Sequence, residues 1–233
     1  MQRITSKDNQ KIKLLSKLIS SQKERDESGL FVLEGLRLIA DAISAGLKIL
    51  ELYVAESYLG KAEVEIFALL PESVEIIAID DFILPKITDT KTPQGIVALA
   101  QGSLLEENLP ESMAGGALLL CGLQDPGNMG TLLRSAAAFS LSAVIITENC
   151  PHITSPKVLR ASMGGAFNIP IISYKDEFEA LSALTEKGIA TFAAYLSPDS
   201  VEIQEVDLKG ACVAIGNEGN GICESFAAAC SQK

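Results

Sequence analysis

From Ala117 onward the chain alternates short, uninterrupted apolar runs with stretches of helical length, and the runs read Ala-Leu-Leu-Leu, Val-Ile-Ile and Ala-Cys-Val-Ala-Ile. A strand with one wet face alternates polar and apolar residues. A continuous apolar run is dry on both faces, which happens when helices cover both sides of a parallel sheet. The pattern predicts strands over 117–123, 143–147, 169–173, 190–196 and 211–215, with helices over 131–139, 156–167 and 177–187 and a last one from Glu224. The loops fall at 124–130, at 148–155 and in the glycine-rich stretch after Ile215.

The first hundred residues carry a second alternation. Strand-like runs fall at 31–33, 49–54, 74–79 and 95–100, separated by helix-like stretches at 36–45, 58–70 and 81–86, the first of these stopped by Gly46. Ahead of them, Ile12, Leu15, Leu18 and Ile19 recur at helical spacing in a segment that begins near Ser6. Residues 101–116 (QGSLLEENLPESMAGG) hold no period, as a connection between domains does. The fold class is therefore α/β, with a small domain over 1–100, a linker over 101–116 and a second domain over 117–233.

Composition narrows the chemistry. With 48% hydrophobic and 21% charged residues among 233, disorder, collagen and coiled coil are excluded as whole-chain descriptions. The one histidine, His152, argues against a His-built zinc site, and no metal is expected. Cys121, Cys150, Cys212, Cys223 and Cys230 form no C-x-x-C pair, and their odd number argues against a disulfide framework. A cytoplasmic location is expected, because the first residues lack the apolar run of a signal peptide and no later stretch is long and uncharged enough to span a membrane. The formal charge of −11 argues, as an average, against a nucleic-acid partner. Yet residues 1–25 hold seven Lys or Arg against two acids. Lys7, Lys11 and Lys13 belong to this basic segment, which reads equally as a phosphate-contacting surface and as an ordinary solvated helix face.

In open parallel sheets ligands collect at the carboxyl ends of the strands, so three loops of the second half carry the candidates. Gln124-Asp125-Pro126-Gly127-Asn128-Met129-Gly130 leads into a helix with Arg134 expected near its first turn, a planar cationic fork suited to phosphate. A Pro-Gly turn followed by a surface arginine is the plain alternative. The loop 149–155 feeds a helix that opens with Pro156, presents Lys157 and Arg160, and carries the small residues Ser162-Met163-Gly164-Gly165-Ala166. Gly216-Asn217-Glu218-Gly219-Asn220-Gly221 follows an apolar strand and could wrap an adenine or ribose with main-chain groups. It is neither a P-loop nor a G-x-G-x-x-G.

Taken in order, N-x-G-x-x-x-R, S-M-G-G-A and I-G-N-E-G-x-G resemble the motifs of the SpoU (TrmH) family of RNA 2′-O-ribose methyltransferases, in the SPOUT superfamily. The matching positions are Asn128, Gly130, Arg134, Ala136 and Phe139, then Ser162, Gly164 and Ala166, then Gly216, Asn217, Glu218 and Gly219. Ile4, Asn9, Ile12 and Lys13, with Phe31-x-Leu33-Glu34-Gly35-x-Arg37, are similar to that family's ribosomal-protein-like substrate-binding domain. The resemblance implies a SPOUT catalytic domain with a trefoil knot, a homodimer formed through that domain, and S-adenosylmethionine as methyl donor. Ribosomal RNA is expected as substrate, ahead of tRNA, because a separate N-terminal recognition domain suits a large folded substrate. By the same resemblance Arg134 and Asn128 are catalytic, and Gly216, Asn217, Glu218, Gly219 and Leu196 bind the cofactor. Lys7, Lys11, Lys13, Arg37, Lys157 and Arg160 are expected to contact RNA. The family's pattern has Gly after Phe139, where Ser140 stands here, and it continues beyond Lys233, so the catalytic domain is expected to be incomplete at its C-terminal end. Two rival readings are a non-catalytic RNA-binding protein, separated by whether S-adenosylmethionine binds, and a nicotinamide-dependent oxidoreductase, which lacks its dinucleotide fingerprint here.

Overall fold

The computed structural model describes residues 1–232. Their contacts gather into two units, Met1–Ser103 together with His152–Phe167, and Leu104–Pro151 together with the chain from Asn168 onward.

In the first unit, helix α1 (Gln10–Ser20) starts later than Ser6, because the Asn9 side chain accepts the Lys11 N–H and caps the helix there. Its Ile12, Leu15 and Leu18 are fully buried. Helix α2 (Gln22–Ser28) is capped by Ser21 and closed by Gly29 at φ +64°; its sequence, QKERDES, has no apolar period to announce it. Strand β1 (Gln2–Ile4), which also escapes the sequence pattern, lies beside β4 (Glu75–Ile79). The sheet continues through β3 (Lys48–Ala55) and β5 (Ile96–Gln101) to β2 (Leu30–Glu34), in the order β1-β4-β3-β5-β2. It is mixed: β1, β4 and β3 run parallel, and β5 is antiparallel to both its neighbours. Helix α3 (Leu36–Ser44) follows β2. The helix expected over 58–70 is broken into a 3₁₀ turn, α4 (Leu59–Glu65) and a second 3₁₀ turn, since Ala62 and Ile66 are buried there while Val64 and Leu69 face solvent. A short α5 (Leu84–Ile87) completes this part.

The second unit is built on an all-parallel sheet of β6 (Ala117–Leu120), β7 (Ala143–Thr147), β8 (Ile171–Tyr174), β9 (Thr191–Ala193) and β10 (Cys212–Ile215). Their order is β8-β7-β6-β10-β9. Leu119, Ile145, Ile172, Cys212 and Ala214 are buried in its core, as the continuous apolar runs predict. Helix α6 (Pro126–Ala138) begins five residues ahead of the expected Thr131, because the Asp125 side chain accepts the Asn128 N–H at 2.8 Å and Pro126 needs no donor partner at the first helical position. Arg134 therefore stands in the third turn and not the first. Helix α7 (Pro156–Ser162), in the first unit, is shorter than the 156–167 expected. It ends where Met163 turns left-handed at φ +47° and Gly164 follows at φ +84°. Helix α8 (Glu177–Glu186) and helix α9 (Glu224–Ala229) lie where the pattern puts them, and Phe178 meets Phe226 edge to face at 5.5 Å. The strand expected over 190–196 stops at Ala193.

Candidate functional site

Strands β6 and β10 are parallel neighbours, with Leu120 paired to Ile215, so the loops that leave them emerge side by side at one sheet edge. The residue after Ile215 has to be glycine: a Cβ on Gly216 would lie 2.3 Å from the Gly221 carbonyl carbon and 2.4 Å from the Ile222 nitrogen. The loop folds back on itself at that point. Asn217 locks the fold, its Oδ1 accepting the N–H of Gly219 at 2.8 Å and of Asn220 at 3.1 Å. Its Nδ2 donates to the Gly122 carbonyl at 2.8 Å, tying the β10 loop to the β6 loop.

Glu218 makes the second tie. One carboxylate oxygen accepts the Gln124 N–H at 3.0 Å, and the other accepts the Asn128 Nδ2 at 2.9 Å and the Asp125 N–H at 3.3 Å. These donors, the Asn128 amide foremost, hold the Glu218 carboxyl down at about 2, so it is ionised throughout the neutral range. The structure thus uses Glu218 as a strut between the two loops and fixes the Asn128 side chain with it.

A third strand end joins through residues that the sequence pattern does not single out. Thr147, at the end of β7, accepts the Gly122 N–H at 2.9 Å and donates to Asn149. Gly122 sits at φ +62°, and a Cβ there would lie 2.7 Å from the Asn149 amide nitrogen. Only their place at or just beyond the carboxyl end of a parallel strand could mark Gly122, Thr147 and Asn149. Together the loops enclose a cleft of ≈ 260 Å³ between Gly122, Asn149, Glu177, Asn217 and Ile222. Cys121 borders it, but burial pushes its thiol upward, away from nucleophilic chemistry. The cleft is lined by amides, glycine backbone, the Cys121 and Cys223 thiols and the Glu177 carboxylate, with Ile222 and Phe226 as its apolar wall and no Lys or Arg among the described residues. That donor set fits ribose hydroxyls and a cationic sulfonium, as S-adenosylmethionine carries, better than a pyrophosphate.

The other expected residues divide. Arg134 is exposed on α6. Leu196, three residues past β9, is 96% exposed and does not line the cleft. In the first unit Lys7 lies over the Phe82 ring at 5.4 Å, and Lys13 is 3.5 Å from Asp8. Lys11 is held between Glu51 and Glu75, 2.6 Å from each. Arg160 is likewise engaged, by Glu34 and Asp89. Arg37 and Lys157 are exposed, on α3 and α7.

A model of the SpoU rRNA methylase family matches residues 116–233, and a model of the MRM3-like substrate-binding domain matches residues 9–98. The 23S rRNA (guanosine(2553)-2′-O)-methyltransferase RlmP of Bacillus subtilis is 31% identical over 228 residues, which span 95% of this chain and 85% of that protein. Among solved structures, an RNA 2′-O ribose methyltransferase superposes with a TM-score of 0.84 at 29% identity, over 99% of this chain and 87% of that one. An AdoMet-bound rRNA methyltransferase from Sinorhizobium meliloti superposes with a TM-score of 0.82 at 25% identity, again over 99% and 87%. With its three motifs, its parallel sheet and matches that cover nearly the whole of it, the chain belongs to the SpoU rRNA methylase family.

Proposed function

We propose that this chain transfers a methyl group from S-adenosylmethionine to a ribose 2′-hydroxyl of ribosomal RNA. The observation that carries the reading is the clamp of Glu218 on Gln124, Asp125 and Asn128, which joins the first and third motifs into one preorganised edge beside a cleft of suitable donor chemistry. S-adenosylmethionine, when bound, supplies a methyl group already activated by its sulfonium. Gly122, Asn149 and Asn217 would hold it by the amides and backbone they bring to the cleft, and Gly216 serves by letting their loop fold back on itself. What the chain must add is position and electrostatics at a weakly acidic hydroxyl. Arg134 suits that role, because a guanidinium is a permanent cation that favours loss of the 2′-hydroxyl proton and pairs with the adjoining phosphate. Asn128, its amide fixed by Glu218, supports that end of the site.

Residues 1–100 act as the RNA-binding domain and 117–233 as the catalytic domain in this reading, with 101–116 between them. In this reading the chain works as a homodimer through the catalytic domain, as the resemblance of its motifs implies. A cytoplasmic site of action is supported by five cysteines that are all free thiols. The decisive experiment is to map 2′-O-methyl positions on total RNA from cells with and without the gene. A ribosomal position lost on deletion and restored by the gene is the expected result. An unchanged ribosomal map overturns the reading.

A further inference from the structure

A second cavity, of ≈ 330 Å³, lies wholly within the first unit and has no part in the cleft described above. It is at the small end of ligand sites, a size for one nucleoside. Its lining combines Glu34 at the end of β2, Arg37, Leu38 and Asp41 on α3, Gln94, and Met163 just past α7. Two glycines leave room for the polar groups. A Cβ on Gly35, at φ +98°, would lie 2.9 Å from Gln94 Oε1, so only glycine lets that amide rest on the backbone. A Cβ on Gly164, at φ +84°, would lie 2.5 Å from Asp41 Oδ2, so the Asp41 carboxylate is seated against a peptide group. Glu34 is 7% exposed; Thr90 donates to one of its oxygens, and Arg160, itself anchored by Asp89, donates to the other at 3.4 Å. Leu38 and Met163 supply apolar surface, and Met163 keeps 48% of its own exposed beside it.

Carboxylates at the wall of a small cavity select for a ligand that presents donors. Among the four RNA bases only guanine carries two adjacent donors, N1–H and N2–H₂, on its Watson–Crick edge; adenine and cytosine set a donor beside an acceptor, and uracil sets one donor between two acceptors. Guanine also offers O6 and N7 to a guanidinium or an amide donor, the chemistry of Arg37 and Gln94. We propose that this cavity receives an unstacked guanine of the substrate RNA, with the Asp41 and Glu34 carboxylates accepting from its Watson–Crick edge and Leu38 and Met163 covering its faces. The inference rests on the reading that the chain acts on RNA, and it adds a base-reading function to the first unit. Extruded bases are read in this way, by edge hydrogen bonds and apolar packing.

The experiment measures binding of the four ribonucleoside 5′-monophosphates to the whole chain by calorimetry; the phosphate is common to all, so differences report the base. GMP is expected to bind at least about tenfold tighter than AMP, CMP or UMP, as one bidentate base contact allows. Asp41→Asn, which turns one acceptor into a donor, is expected to weaken GMP about tenfold and to abolish the preference. Arg37→Met, on an exposed side chain, guards against a folding artefact and is expected to weaken GMP with the melting temperature unchanged. Equal affinity for the four nucleotides, no saturable binding, or GMP affinity unchanged in both variants overturns the proposal. Methyl mapping and S-adenosylmethionine binding report on the other cleft, so loss of ribosomal methylation dependence with GMP preference intact would count against the functional reading alone.

Discussion

The two units treat charge in opposite ways. In the first, cations that look available in the sequence are taken up by carboxylates: Arg3 by Glu56 and Asp80, Lys11 by Glu51 and Glu75, and Arg160 by Glu34 and Asp89. In the second, the carboxylate at the site, Glu218, takes its hydrogen bonds from two backbone N–H groups and an amide, and serves geometry instead of neutralisation. A net count of charge therefore says little about where phosphate can bind. Local partners decide it, because a cation already between two carboxylates has little field left to offer.

Single substitutions can break this contrast. Arg134→Ala should have the largest effect, lowering kcat for methyl transfer by ~100- to 1000-fold, the range for removal of one preorganised electrostatic donor. Affinity for S-adenosylmethionine, measured by calorimetry, should stay close to wild type; unchanged turnover would take Arg134 out of the mechanism. Gly216→Ala comes next, since its Cβ would meet the Gly221 and Ile222 backbone at 2.3–2.5 Å. Urea unfolding should show a loss of about 1–3 kcal/mol, as for other overpacked sites, together with loss of cofactor binding.

Arg160→Ala probes the charge arrangement of the first unit. Burial holds the Glu34 carboxyl above its ordinary value, and Arg160 opposes that rise. Without Arg160 a buried anion loses its partner, at a cost of about 2 kcal/mol. A group whose folded value is raised contributes stability at low pH and loses it as pH rises through that value. The deficit of the variant should therefore be largest in neutral buffer and should shrink on acidification as Glu34 takes up a proton. A deficit that does not change with pH would assign the loss to packing. Lys11→Met should have the smallest effect, at most about 1 kcal/mol in stability for such partly exposed pairs. Its RNA affinity and salt dependence should be unchanged, whereas Lys157→Ala should reduce the salt slope by roughly one. A reduced slope for Lys11→Met would return that residue to the RNA surface.

The buried strands are legible because residues such as those of β6 and β10 are apolar without interruption, and the loops that follow them are legible because ligands gather at such ends. The start of α6 is hidden because Gly127 and Gly130 read as loop, while the Asp125 cap and Pro126 outweigh them in the folded chain. The end of α7 is hidden because Ala166 and Phe167 prolong the apolar text across the left-handed turn at Met163. Helix α2 and strand β1 are too polar or too short to show a period.

By itself the sequence determined the layer architecture, the order of the three motifs and the family they resemble, since these depend on local pattern and spacing along the chain. Which cations are taken up by carboxylates, and that Glu218 braces Asn128 while Thr147 and Asn149 shape the cleft, was decided only by the tertiary structure. The physical reason is distance in the chain: Lys11 meets Glu51 and Glu75 forty and sixty-four residues away, and Asn128 meets Glu218 ninety residues away. No period or motif of the sequence records such a pairing, because it exists only once the sheets have brought those strand ends and helices together.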